Sequence, residues 1–221
     1  MKENNPVISS PLGECVFLMP EGYEDENYFP SLIKNAEPGI TELYKSGKET
    51  SVSVTPQQFN SVSFCGEHAL VAVRIPDGET VIAPSRFEDC ISLRSITIPG
   101  SVEIIEKCAF MSCESLEELI LPHGLRAVRE SSFACCKRLK ELVFPDGTEE
   151  IDTEALKGCD SLERLSVPAS VKSFKEITYV FLPSLKEICF RGSREQWERI
   201  FVPIRVPVRN KRDIVIVFDK E

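Results

Sequence analysis

The chain has 221 residues, 42% of them hydrophobic, and a formal net charge of −9. That is enough apolar material for a sizeable core in one elongated domain, and the negative surplus argues against a nucleic-acid partner, which needs Lys and Arg clustered against phosphate. No apolar run approaches the roughly 18 residues needed to cross a bilayer, and the opening MKENNPVISSPLGE lacks the apolar stretch of a secretory leader, so the sequence reads as cytoplasmic or as the trimmed form of a longer chain.

In residues 1–63, Pro6, Pro11 and Gly13 break any early helix. Cys15–Met19 is a short apolar run that reads as a strand, turned by Pro20-Glu-Gly22. Tyr23–Phe29 alternates aromatic and acidic residues, short helices fit Leu32–Ala36 and Ile40–Lys45, and Ser51–Thr55 alternates as a strand. Thr41–Ser63 fits a degenerate first repeat of the array described next. Two readings stand for 1–63: an N-terminal cap, and a separate subdomain with a ligand or catalytic site around Tyr23–Phe29.

From Phe87 to Thr178 the sequence repeats every 23 residues without insertion or deletion. Position 1 is Phe87, Phe110, Phe133 and Leu156; position 4 is Cys90, Cys113, Cys136 and Cys159; position 7 is Leu93, Leu116, Leu139 and Leu162. Position 10 is Ile96, Leu119, Leu142 and Leu165, and position 12 is Ile98, Leu121, Phe144 and Val167, each followed by proline. Position 19 is Ile105, Val128, Ile151 and Phe174. The register extends back to Phe64, with Glu67 in place of the cysteine, and forward through Trp197 to Phe201, giving six units over 64–201. A fixed period of this length is the mark of a solenoid, in which each repeat buries its apolar face only against a neighbour. The tract Arg209–Arg212 and the strand-like Asp213–Phe218 form a C-terminal cap over 202–221 whose edge the basic residues protect.

The pattern F-x-x-C-x-x-L-x-x-L-x-L-P-x-x-V-x-x-I-x-x-x-A resembles the BspA-like (Treponema pallidum-type) leucine-rich repeat, and Arg191-Gly-Ser-Arg-Glu-Gln-Trp197 resembles that family's G-T-x-x-Q-W ending. The resemblance implies a leucine-rich repeat solenoid with a parallel sheet on one face. It also implies a bacterial protein acting in adhesion or protein binding, at the cell surface or secreted if the chain is trimmed.

Nine cysteines invite a metal or disulfide reading, but position 4 lies between inward positions 1 and 7. Stacked repeats are about 4.8 Å apart, with side chains parallel rather than aimed at each other as a disulfide requires. A buried ladder of free thiols is therefore expected, with no metal, no cofactor and a reducing environment. Trp197, at position 19, is expected to pack in the core rather than stack on a ligand.

In each strand, positions 10 and 12 point inward and 9 and 11 outward. Position 8 alternates in sign through Arg94, Glu117, Lys140, Glu163 and Lys186, which predicts cross-strand ion pairs. Ile120 and Val143 are adjacent outward β-branched residues bordered by Glu118 and Glu141; they fit a binding patch, and equally a strand preference with nothing bound. The candidate protein-binding face is Thr97, Glu118, Ile120, Glu141, Val143, Arg164 and Ser166. His68 and His123 fall at unrelated positions, and no nucleophile elbow, zinc-hydrolase helix or phosphate loop occurs. The sequence thus predicts a non-enzymatic protein-binding module with an unidentified protein partner. A structural, self-assembling role through the ends or the Ile214–Phe218 strand is the alternative.

Overall fold

In the strand segments, β-branched and polar residues alternate with leucine or isoleucine, so an apolar row repeats every second residue on one side of the chain. The computed structural model describes residues 15–18, 51–54, 63–68, 70–152, 154–175, 181–202 and 214–219. The Tyr23–Phe29 segment, the two short helices before Lys45 and the Arg209–Arg212 tract lie outside these.

Numbered along the chain, β3 (Ala72–Arg74), β5 (Ser95–Thr97), β8 (Glu141–Val143), β10 (Arg164–Pro168), β12 (Glu187–Arg191) and β14 (Val215–Phe218) line one side of the coil. A second row, β4 (Val81–Ile82), β6 (Ile104–Ile105), β7 (Ala127–Val128) and β9 (Glu150–Ile151), forms a continuous parallel sheet on another side. Pairing is parallel and advances by 23 residues, as in Val73↔Ile96 and Leu142↔Leu165. The inward positions meet in a single core running from Phe64 to Trp197. At the N-terminal end, β1 (Cys15–Leu18) pairs antiparallel with β3 and with β2 (Ser51–Val54). The sheet neighbour of the first complete repeat is therefore β1, not the strand of the Thr41–Ser63 segment.

Position 1 forms a column of stacked rings. Phe64, Phe87, Phe110 and Phe133 follow one another at centroid distances of 5.3–5.5 Å, with interplanar angles of 3–11°. Beside it runs the thiol ladder. The Sγ–H groups of Cys90, Cys113, Cys136 and Cys159 donate to the carbonyls of Phe64, Phe87, Phe110 and Phe133 at 3.1–3.3 Å. Three of those carbonyls also accept the N–H of the cysteine three residues on, as Phe110 does from Cys113 at 3.3 Å. Cysteine suits position 4 because it fills space like a small hydrophobe and still offers a weak donor. All four thiols are free and fully buried. Burial pushes the Cys90 and Cys113 thiols well up, and at Cys136 the hydrogen-bonding contact of the free Cys159 thiol acts first and burial second, in the same direction.

Backbone turns on either side of the Phe column place positions 22 and 3 in the left-handed region. Ser85, Cys108 and Ser131 have φ of 53–57°, and Asp89, Ser112 and Cys135 have φ of 59–61°, with Gly66 and Gly158 at the same position 3. Small polar side chains and glycine tolerate this conformation best. Cys108 and Cys135 thus stand at conformationally demanding turns and do not extend the buried ladder.

The C-terminal end departs from the repeat. The helix α1 (Arg194–Ile200) opens at Ser193, whose hydroxyl accepts from the Gln196 N–H while the Gln196 side chain accepts from the Ser193 N–H, a capping box. Trp197, 5% exposed, packs against Phe174, Phe190 and Phe201 at 5.2–5.4 Å, as the expectation of a core role required. Its strand place, however, passes to β13 (Phe201–Val202), which pairs with β11 (Phe174–Lys175) in the register Phe174↔Phe201. Arg191 occupies the proline position of the last repeat and reaches back to the Phe144 carbonyl and the Asp146 carboxylate.

Three outcomes follow from this core. A thiol reagent should label Cys65, which is exposed, and leave the four ladder thiols unreacted until the protein unfolds; native labelling of the four would place position 4 on the wrong face. Cys113→Ser should cost roughly 1–3 kcal/mol in urea denaturation, because a hydroxyl is more strongly hydrated than a thiol and its accepting oxygen gains no donor in the core, and Cys113→Ala should cost less. Ser132 is fully buried at position 23, where Ala109 and Ala155 stand in adjacent repeats, and its hydroxyl has no hydrogen-bond partner. Ser132→Ala should stabilise the fold by about 1 kcal/mol, and a loss of stability would mean that the hydroxyl is satisfied.

Candidate functional site

The outer face of the first strand row is the broadest regular surface of the coil, and it is interrupted. Its strands form two separate four-stranded sheets, ordered β2-β1-β3-β5 and β14-β12-β10-β8. Between β5 and β8, residues 117–121 follow an irregular path instead of the expected strand. The inward side chains flanking the break, Ile96, Ile98, Leu119 and Leu121, are 7–9% exposed, whereas Leu142, Leu165 and Ile188 are at 0–1%. Water thus reaches the edge of the core at this one place along the face.

Side-chain links that join neighbouring repeats elsewhere are rearranged here. Ser101 and Ser170, at position 15, each accept the N–H of the glycine one repeat earlier and donate to the next carbonyl (Gly78 with Glu79, and Gly147 with Thr148). Neither junction of the interrupted repeat has such a link, because position 15 is Gly124 there and Gly147 in the repeat that follows. A Cβ at Gly124 would lie 2.5 Å from the Gly100 carbonyl oxygen, and a Cβ at Gly100 would meet the His123 ring at 2.3 Å. The two glycines let these turns approach closely, with His123 lying over the earlier one.

The ion-pair ladder predicted along position 8 changes in the same repeat. Lys186 does pair with Glu163 at 2.9 Å, which holds the Glu163 carboxyl below its ordinary range. Glu117 pairs instead with Arg138, at position 6, at 3.1 Å. The expected alternation through Arg94, Glu117 and Lys140 is therefore corrected: with 117–121 out of the strand row, Glu117 reaches the next repeat's loop and not its strand. A second alternating column stands at position 17, where Arg126 pairs with Glu103 at 3.6 Å and Lys172 pairs with Glu149.

The candidate face residues lie as follows. Thr97, Glu118, Ile120, Glu141, Val143 and Arg164 are exposed, and Ser166 is half-buried. Ile120 is 85% exposed and Val143 44%. Arg164 pairs with Glu141 at 3.2 Å, while Glu118 makes no ion pair among the described residues. Outward does not mean exposed at the N-terminal end: Ala72, at position 9, is fully buried. Sequence reasoning left out Val215 and Val217, 59% and 39% exposed on β14. Their register places them beside Glu187 and Cys189, but β14 lies beyond the 23-residue period, so repeat columns alone could not align it.

Among the described residues no cluster of His, Cys, Asp or Glu is arranged to hold a metal ion. The most perturbed surface acid is Glu67, at the head of the thiol ladder, which partial burial pushes up to about 7. No described helix is long and apolar enough to cross a membrane.

A family profile described as the BspA type Leucine rich repeat region matches residues 57–194 in six copies. Among solved structures, the chain is similar to a Leucine Rich Repeat protein of T. pallidum, at 28% identity and a TM-score of 0.55, over 57% of this chain and 58% of that one. It is also similar to a leucine rich cell surface protein from Faecalibacterium prausnitzii, at 34% identity and a TM-score of 0.56, over 61% of this chain and 36% of that one. The pneumococcal vaccine antigen PcpA shares the fold at 19% identity and a TM-score of 0.55, over 68% of this chain and 42% of that one. The chain thus spans less than two thirds of the length of these relatives. A search of curated proteins finds no significant match.

Two predictions test the local chemistry and the break. The folded Glu67 carboxyl holds its proton to about pH 7, whereas the unfolded one releases it near 4.5. Stability from this group is therefore full below 4.5 and is lost as pH rises toward and through 7. Glu67→Gln should gain stability relative to the parent at pH 8 and lose that advantage at pH 4, and a pH-independent difference would contradict the burial. In amide hydrogen exchange, residues 117–121 should exchange far faster than 104–105 and 127–128 of the continuous sheet; equal protection would close the break.

Proposed function

The chain belongs to the BspA-type leucine-rich repeat family, and from that membership we propose that it is a non-enzymatic protein-binding module using its outer sheet face around Ile120 and Val143. The observation that carries the proposal is the 85% exposure of Ile120, one repeat before the exposed Val143, on a scaffold whose other described leucines and isoleucines are buried or half-buried apart from Ile91, at 40%. A large apolar side chain left in water on a regular face marks a place that a partner can cover. Thr97, Glu118, Glu141, Arg164 and Ser166 surround it and supply a polar rim.

Placement at the cell surface or in a secreted state is part of the same reading, supported by the likeness to a leucine rich cell surface protein of F. prausnitzii.

The test is a double replacement, Ile120→Ala with Val143→Ala, assayed against a partner captured from the native source. Affinity should fall about tenfold or more, equivalent to about 1.4 kcal/mol, with the urea midpoint moving little because Ile120 is almost wholly in water and Val143 is 44% exposed. Unchanged affinity for that partner would reject this face.

A further inference from the structure

An uncharged row continues past Val143. In the register of β8, β10, β12 and β14, Val143, Ser166, Cys189 and Val217 stand side by side on successive strands, with Ile120 one repeat before them. None of the five carries a charge. Next to this row, at the outward position two residues earlier, stand Glu118, Glu141, Arg164, Glu187 and Val215. Arg164 is taken up by Glu141, so Glu118 and Glu187 remain without an ion pair among the described residues. At the far end the Asp219 carboxylate accepts the Cys189 thiol at 3.7 Å. Among the described residues the row is thus an uncharged stripe with unpaired carboxylates of Glu118 and Glu187 along one flank.

We propose that this stripe is the seat of an amphipathic α-helix with an apolar seam flanked by Lys or Arg, lying across the strands. The inference rests on the protein-binding reading of the face and assigns the chemistry of its partner. Successive rows are about 4.8 Å apart, close to the 5.4 Å per turn at which side chains recur along one face of a helix. An extended peptide repeats every 6.6–6.8 Å or so on one side, and falls out of step by the third row. A helix of about 14 residues covers the three paired steps from Val143 to Val217 and extends beyond them on the side of Ile120. Charge decides the flank: basic side chains beside the seam meet Glu118, Glu187 and Asp219, and acidic ones are repelled.

The probe is a synthetic helical Leu/Lys peptide of that length, with leucines on one face, followed by fluorescence anisotropy on the full chain. Two comparison peptides carry Glu for each Lys, or a central proline that breaks the helix. The Lys helix should bind, and binding should weaken about fivefold in Glu118→Gln with Glu187→Gln and again in Val217→Ser, but not in Glu103→Gln on another side of the coil. Equal binding of the Glu peptide or the broken helix overturns the proposal, as does equal weakening by Glu103→Gln, which would mark attraction to the negative protein as a whole. A dimer seen by sedimentation and dissolved by Val217→Glu also overturns it, by showing that a second copy occupies the stripe. A native partner that needs Ile120 and Val143 but is indifferent to Glu118, Glu187 and Val217 sinks this inference alone. Indifference to Ile120 and Val143 as well removes the face reading with it.

Discussion

Like must stack on like. Because the chain advances 23 residues per turn with no insertion, every inward side chain has the same position of the next repeat as its neighbour. A charge at such a position would face a like charge in the next repeat, in a medium where both lack water, so inward columns are confined to apolar groups or groups with a built-in partner. The phenylalanine column meets this rule by offset stacking of nearly parallel rings. The thiol ladder meets it by giving each Sγ–H a carbonyl of the preceding repeat. Thr148 shows the rule at a single site: it replaces valine or leucine at position 16, and its hydroxyl donates to the Leu125 carbonyl at 3.1 Å.

The same rule explains what was legible in the sequence. Inward columns are read directly from periodicity, so the core from Phe64 to Trp197 and the buried thiols follow from letters alone. Backbone conformation is not a column of like letters. The left-handed turns at positions 22 and 3 accept Ser, Asp, Cys and Gly alike, and that mixture hides the constraint. The shift at the C-terminal end was equally hidden. Trp197 keeps the apolar character of position 19, and only the Ser193–Gln196 capping box marks the helix that moves the strand partner four residues on, to Phe201.

The interrupted repeat was the least legible, because its core letters are regular. Phe110, Cys113, Leu116, Leu119 and Leu121 all stand in register and all are buried. The differences lie in groups that link repeats on the surface: both junctions of this repeat lack the serine link, since position 15 is Gly124 here and Gly147 in the next repeat, and Glu117 turns toward Arg138. Core packing keeps the repeat in the stack, and the continuous β4-β6-β7-β9 sheet holds its other side. Only the strand-side links are absent, so the loss stays local to residues 117–121. The repeat with the weakest links on this side also carries its most exposed large apolar side chain, Ile120.

This division of labour governs what each part of the coil can change without cost. An inward residue is coupled to the repeats before and after it, so a substitution there propagates along the stack. An outward side chain is joined to neighbouring repeats mainly by single hydrogen bonds and by ion pairs between exposed groups, the latter each worth at most about 1 kcal/mol. Positions 9 and 11 are therefore free to diverge from repeat to repeat, and they do: Thr97, Ile120, Val143, Ser166 and Cys189 share one position and differ in size and polarity. A recognition surface built from such positions is set by chemistry at each row independently, on a spacing that the core fixes. A partner accordingly has to match the pitch of the stack first, and the side chains at each step second.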